Sequence, residues 1–424
     1  MRALGLIAEY NPFHNGHLYH LEQSKKTTNR DFVVCVMSGN FIQRGEPALV
    51  NKWARAKMAL NAGVDLVLEL PTIFSISSAE YFSYGAIKIL DSIGIVDSIC
   101  FGSESGNIEN MGLIADVLCD EPLEYKNILK KHLLKGVSFA SARENALLEY
   151  FETLNTNSEI SHSNELNISE ILNSSNNILA IEYLKALKKL QSNIRPYTIK
   201  RIKNQYNQET LTDNISSASS IRKCIENNVH LDDISFAIPK LTQSVLKSEF
   251  EYGRGPVFKE NFEHTILSLL RKIKTVELGK SAYICEGLEN RIKKFSMLSG
   301  TLNELIENVA TKRYPKTRIQ RILFNMLLGL TSEELSEFMN FGGPQYTKVL
   351  AFNQNGQKLL SHIKQNSRFP VITKPSAFRN SCNTLLKKML EFDCISTDIY
   401  VLGYNSSKYK YGGQEFTQNV QKNY

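Results

Sequence analysis

"ALGLIAEYNPFHNGHLYHL", residues 3 to 21, passes from an apolar run through a proline turn into three histidines, His14, His17 and His20, spaced by three. The run "ALGLIA" (3–8) has the length and aliphatic content of a strand buried on both faces. The chain then turns through Asn11-Pro12-Phe13, and helical spacing begins around Gly16 or His17. Strand, tight turn, glycine, helix is the opening of a parallel α/β sheet, and the residues that follow bear this out. "FVVCVMS" (32–38), "DLVLEL" (65–70) and "VDSICF" (96–101) are further short apolar runs, with a fifth at "YTIKRI" (197–202). Between the early ones lie "HLYHLEQSKKTT", "NKWARAKMALNAG" and "AEYFSYGAIKILDSIG", all with helical periodicity. Strand–helix alternation predicts right-handed crossovers and an open, parallel, Rossmann-like sheet.

That fold gives the opening stretch a chemistry. Ligands of open α/β sheets bind at the carboxyl ends of the strands, where helix N-termini meet them. A helix N-terminus presents free backbone N–H groups and a positive dipole end, which together seat a phosphate. Glycine at 16 admits backbone close to a ligand, and His14 and His17 can reach the same phosphate from the loop and the first turn. An imidazole N–H can donate to a phosphoryl oxygen whose charge grows during displacement. The plainer alternative is a set of solvated or capping histidines. A metal reading also exists, but no carboxylate or cysteine joins the three at a usual ligand spacing, so no metal ligand is assigned.

The rest of the chain divides near residue 230. Residues 1–230 hold the predicted nucleotide-binding domain, with an Asn/Ser-rich stretch at about 153–175 that reads as a mobile surface insertion. Beyond it, "ENFEHTILSLLRKIK", "LENRIKKFSML", "LNELIENVATKRY", "KTRIQRILFNMLLGL" and "SEELSEFMNF" are successive amphipathic helices, so 231–424 is expected to be a mainly helical domain. Its tail, from "KVLAFNQNG" onward, is mixed. "KRYPKTRIQR" (312–321) carries Lys312, Arg313, Lys316, Arg318 and Arg321 around Tyr314, a phosphate-and-base surface or simply a solvated helix face. Lys52, Arg55 and Lys57 beside Trp53 form a second basic candidate.

Composition narrows the class. The 424 residues hold 50 basic and 43 acidic side chains, a mild excess of +7 that suits polyanionic partners without requiring them. Seven cysteines are scattered with no CxxC pair, as in a reduced protein rather than a disulfide or zinc frame. "MRALGLIAEYN" meets Glu9 before an apolar segment of signal length forms, and no run approaches a membrane span. The expectation is a cytoplasmic protein with no membrane association.

"FHNGH" (13–17) resembles the H-x-G-H signature of the nucleotidyltransferases that share their fold with class I aminoacyl-tRNA synthetases. "ISSASSIRK" (215–223) resembles their I-S-S-T-x-I-R segment, with Ala218 and Ser219 departing. Taken together, "GLIAEYNPFHNGHLYHL", "MSGNFIQRGEPA", "WARAKMAL", "FGSESG", "SNNILAIEYLKAL", "EGLENRI" and "KRYPKTRIQRIL" resemble the tRNA(Met) cytidine acetate ligases over essentially the whole chain. "KVLAFN" departs from that family's Arg and Gly at Lys348 and Ala351.

The resemblance implies a ligase that forms acetyl-AMP from acetate and ATP, then acetylates N4 of the wobble cytidine of elongator tRNA(Met). It implies ATP contacts from Ile7, Ala8, Glu9, Tyr10, Asn11, Pro12, Phe13, His14, Asn15, Gly16, His17, Leu18, Tyr19 and His20, joined by Gly102, Asn176 and Arg201. His14 and His17 would be catalytic, with Mg²⁺ accompanying the nucleotide and the helical half binding tRNA. Ser216, Ser217 and Ser220 could cap a helix, bind phosphate, or do both. "MSGNFIQRGEPA" reads either as a connecting loop or as a flap over acetate or the target base. Two other functions remain: a small-molecule nucleotidyltransferase, and a non-catalytic RNA-binding relative.

Overall fold

The structure, a computed structural model, describes residues 2–157, 167–201 and 216–423. Among the described residues ten strands appear in chain order: β1 (Ala3–Ala8), β2 (Phe32–Ser38), β3 (Phe41–Ile42), β4 (Glu46–Pro47), β5 (Leu66–Leu70), β6 (Val96–Ser103), β7 (Arg195–Lys200), β8 (Thr347–Asn353), β9 (Val371–Ile372) and β10 (Gln421–Asn423). The main sheet runs β10-β8-β5-β2-β1-β6-β7, with β9 beside β8. Every pairing in it is parallel except β5 with β8. β1 lies inside it between β2 and β6, with Ala3 opposite Phe32 and Ala8 opposite Met37.

Alternation along these strands explains their apolar composition. Val34 and Val36 of β2 enter one core, while Val33, Cys35 and Met37 enter another on the opposite face. A strand covered on both sides has no polar face to display, so it reads as a continuous hydrophobic run. The helix Asn15–Thr28 contributes Leu21 to the second core, together with the helix Lys52–Asn61. Helices Ala79–Ser92, Ile108–Asp120 and Ser175–Lys189 cover the other face.

A third core forms among the helices Glu263–Lys272, Leu288–Leu298, Leu302–Val309 and Lys316–Leu328. The expected boundary at 230 therefore divides the chain in sequence, but the sheet draws on both sides of it. β8, within the tail that sequence left as mixed, pairs antiparallel with β5. The helix Lys240–Glu251 likewise packs Val245 and Leu246 into the sheet's second core. Of the expected insertion, residues 158–166 lie outside the described ones. Its flanks are helical, Phe139–Asn157 and Ile168–Leu172, and Ile168, Ile171 and Leu172 are core residues rather than surface.

The proposed basic surface around Trp53 is a correction. Lys52 and Arg55 are fully buried and Trp53 nearly so, leaving Lys57 alone exposed. Lys52 Nζ meets Glu69 Oε1 at 2.7 Å and also Glu415; Lys348 Nζ lies 2.9 Å from Glu69 Oε2 and 2.6 Å from Glu415 Oε2. Two lysines and two glutamates thus close a ring in the interior. Burial opposes charge on Glu415, but Lys348 and Lys52 outweigh it and hold the carboxyl down to about 2. Burial likewise opposes charge on Lys348, whose ammonium the two glutamates nonetheless hold well above its ordinary value. Asp393 sits nearby, accepting from Thr72 N at 2.7 Å and from the Tyr346 hydroxyl. Burial and the Glu69 charge push it up to about 6.

Candidate active site at the carboxyl end of the sheet

The helix after β1 begins one residue earlier than its spacing suggests, because His14 is its N-cap. His14 Nδ1 accepts from Gly16 N at 3.1 Å, and His17 Nδ1 accepts from His14 N at 3.3 Å. This is a reciprocal capping box built from two imidazoles. The plain capping reading is therefore correct, and it has a chemical consequence. A ring nitrogen that accepts a backbone N–H carries no proton, so each neutral ring bears its proton on Nε2. Capping with Nδ1 makes Nε2–H the donor left for a ligand.

The rings are kept neutral by their surroundings. Burial, then the positive Arg201 and Arg222, lower His14 to about 3. His20 falls to about 4 through burial and Arg201, and His17 lies well below the ordinary range through burial and its neighbouring rings. The His14 and His17 rings lie 3.7 Å apart between centroids, tilted by 31°. Tyr10 and Phe13 pack against His17 at 5.0 and 5.5 Å, which fixes its orientation.

The turn itself is braced by side chains far away in sequence. The Asn11–Pro12 bond is cis. Asn11 Oδ1 accepts from Leu49 N at 2.7 Å, and its main-chain oxygen accepts from Arg222 Nη1 at 3.0 Å. Arg222 also pairs with Glu46 at 2.9 Å, so the motif arginine holds the turn and the β3–β4 hairpin together. Buried Arg55 donates to the carbonyls of Glu9 (2.6 Å), Val50 (3.1 Å) and Gly39. "MSGNFIQRGEPA" is accordingly a hairpin pinned from both sides. Phe41 stacks in the helical core, and Gly45, at φ +74°, lies directly on the backbone of Arg321, where no side chain would fit.

Gly102, Arg201 and Asn176 all stand near the end of β6. A Cβ added to Gly102 would lie 3.2 Å from Arg201 Cγ and 3.9 Å from His20 Cδ2, so the missing side chain leaves space between those two residues. Arg201 N donates to Ser103 O at 2.9 Å, extending the β6–β7 pairing past Lys200. Asn176 stands in the first turn of the helix Ser175–Lys189 and donates to Glu104 Oε1 at 2.6 Å. Glu104 was overlooked by sequence reasoning, although it stands in the quoted "FGSE". Its Oε2 accepts Asn177 N at 3.0 Å, while Asn177 Oδ1 accepts the N–H groups of Glu104 and Ser105 at 2.9 and 3.1 Å. This clamp carries Asn176 to the end of β6, two residues from Gly102.

Ser217 is the N-cap of the helix Ala218–Glu226, accepting from Ser220 N at 3.1 Å, and Ser216 is buried; Ile202 and Ile215 lie outside the described residues. On the helical half, Lys312, Arg313 and Lys316 are exposed. The guanidinium carbons of Arg318 and Arg313 lie 5.0 and 5.9 Å from the Tyr314 ring. Arg321 differs from the surface role expected of it: it turns inward and donates to Gln43 O at 3.1 Å.

A family model described as HIGH Nucleotidyl Transferase matches residues 1–415. The tRNA(Met) cytidine acetate ligase of Acetivibrio thermocellus is 53% identical, with 99% of each chain covered. That of Halothermothrix orenii is 46% identical over the full length of both. The chain belongs to the tRNA(Met) cytidine acetate ligase family. Among solved structures, Thermotoga maritima TmcAL bound with alpha-thio ATP superposes with a TM-score of 0.92 at 35% identity, covering 100% of this chain and 99% of that one. Its apo form gives 0.94 with the same coverage. The family's sheet, helical half and H-x-G-H turn are therefore all present here. No helix among the described residues is long and apolar enough to cross a membrane.

Proposed function

We propose that the chain is an ATP-dependent acetate ligase of the cytoplasm that acetylates N4 of the wobble cytidine of elongator tRNA(Met) through acetyl-AMP. The observation that carries this reading is the pair of neutral imidazoles at a helix N-terminus, each with Nδ1 occupied and Nε2–H available. ATP would be held by residues 7–20 with Gly102, Asn176 and Arg201. The acetate carboxylate attacks the α-phosphorus, and pyrophosphate leaves with the electron pair of the broken bond. Charge develops on the α-phosphoryl oxygens, where His14 and His17 donate and the helix dipole favours it. Arg201 adds a positive charge beside the same turn. Mg²⁺, when bound through the phosphates, would neutralise charge there.

The target base must leave the anticodon stack to reach this site. The exposed Lys312, Arg313 and Lys316, with Tyr314 between guanidiniums, form a surface suited to RNA phosphates and an unstacked base. The deciding experiment is acetate-dependent exchange of pyrophosphate into ATP, followed by mass analysis of tRNA(Met) incubated with acetate and ATP. Exchange without tRNA acetylation would favour a small-molecule nucleotidyltransferase. Absence of both, with tRNA still bound, would favour a non-catalytic relative.

A further inference from the structure

Acetyl transfer leaves one proton without a destination. As cytidine N4 attacks the acetyl carbon, the N–C bond forms, the acyl C–O bond to the adenylate breaks, and AMP leaves with that electron pair. N4 must then lose a proton. His14 and His17 are poorly suited to take it, because both Nδ1 atoms accept backbone N–H groups and both Nε2 atoms already carry hydrogen.

Glu9 is the residue between β1 and the histidine turn, half-buried at the carboxyl end of that strand. Its backbone is fixed, since its carbonyl accepts from Arg55 at 2.6 Å. Its side chain is fixed through one oxygen only, as Oε1 accepts Gln43 N at 2.9 Å. Among the described residues the carboxylate makes no other hydrogen bond, which leaves Oε2 uncommitted. The hairpin that holds it leads directly to the basic helix: Gln320 Nε2 donates to Arg44 O at 3.2 Å, and Arg321 donates to Gln43 O at 3.1 Å. Glu9 thus stands between the turn proposed to hold the adenylate and the surface proposed to hold tRNA.

We propose that Glu9 accepts the N4 proton of cytidine during acetyl transfer. This rests on the acetate-ligase reading above. In the balanced step, Glu9 Oε2 gains the proton that N4 loses, and the proton passes to solvent once AMP and the acetylated tRNA depart. The environment suits a base. Burial raises the carboxyl above its ordinary range, against the Gln43 N–H and the charges of Arg222 and Arg44, while Glu46 adds to the rise. Arg55 and Tyr183 face it from the helices Lys52–Asn61 and Ser175–Lys189.

The test separates the two half-reactions in the full-length protein. Glu9→Gln, Glu9→Asp and the unaltered chain are compared in acetate-dependent pyrophosphate exchange and in single-turnover transfer from supplied acetyl-AMP to unmodified tRNA(Met), from pH 4.5 to 8. Glu9→Gln is expected to lower transfer about 10²-fold more than exchange, within the usual range for general-base removal. It should also abolish the rise of transfer with pH that the unaltered chain shows. Glu9→Asp should restore part of the rate with the rise displaced. Equal losses in both half-reactions, or a glutamine variant that keeps the rise, would overturn the proposal. If melting curves show Glu9→Gln unfolded, a transfer rate in the unaltered chain that is flat with pH overturns it instead. An unaltered chain with no acetate-dependent exchange at all contradicts the ligase reading, a different failure.

Discussion

Two clusters of ionisable side chains meet at the interior of this sheet, and the protein treats them in opposite ways. The histidine turn keeps its groups neutral, with His14 down to about 3 and His20 to about 4. The ring of Lys52, Glu69, Lys348 and Glu415 keeps its groups charged, with Glu415 held to about 2. In the ring each charge is answered by another within the chain, so nothing is left for a ligand. In the turn only half of the His14 and His17 imidazoles is used, and their remaining Nε2–H groups sit beside two arginines. Charges paired within the chain mark structure here, and donors left over mark the site.

Substitutions can break that contrast, and the largest effect is expected in the ring. Lys348→Met strips Glu69 and Glu415 of a partner while leaving both buried, which should cost about 3–5 kcal/mol of stability. Urea unfolding measures it, and ATP affinity of the folded protein should not change. A cost under about 1 kcal/mol would mean that the ring is not held as charged pairs. His17→Ala should do the reverse, lowering acetate-dependent adenylation about 10²–10³-fold while removing only one capping bond, worth about 1 kcal/mol. Acetate-dependent pyrophosphate exchange reads the first quantity and thermal melting the second.

Acidification sharpens the same contrast. The three histidines are neutral in the fold but take up protons near pH 6.5 once unfolded. The unfolded chain therefore binds more protons below that value, and stability falls as pH drops from about 6.5 toward 4. Asp393 acts in the opposite sense, since a carboxyl raised to about 6 contributes stability at low pH and loses it as pH rises through that value. The three histidines outweigh Asp393 and the lesser rises of Glu9 and Glu249, so urea midpoints should decline between pH 7 and 5, and His20→Gln should flatten the decline. The smallest effect belongs to the exposed basic helix. Lys312→Ala should weaken tRNA binding modestly and reduce the slope of log affinity against log salt by about 0.7–0.9. An unchanged slope would move the RNA surface elsewhere.

The same contrast explains what could be read from sequence. β1 and β2 fall on the quoted runs, and β5 begins one residue inside its run, because strands buried on both faces are apolar throughout. The turn was legible because its parts are contiguous, from Glu9 to His20. The ionic ring was not, since residues 52, 69, 348 and 415 meet only when β8 pairs with β5 and the segment after β9 returns. Lys52 and Arg55 looked like surface charges for that reason. Glu104 was hidden by a related limit: its partners, Asn176 and Asn177, lie past a stretch whose Asn/Ser content reads as linker. Within that stretch Ile168–Leu172 folds as a core helix despite its polar neighbours.

The central claim is that the turn from Glu9 to His20 seats the triphosphate, with Nε2 of His14 and His17 on the phosphoryl oxygens. The direct measurement is a crystal structure of this chain with a non-hydrolysable ATP analogue. The account predicts phosphate oxygens within about 2.7–3.2 Å of those two nitrogens, with Asn176 and Arg201 against the nucleotide and Nδ1 of both rings still accepting backbone N–H groups. A nucleotide bound away from the turn, or rings flipped so that Nε2 caps the helix, would contradict it.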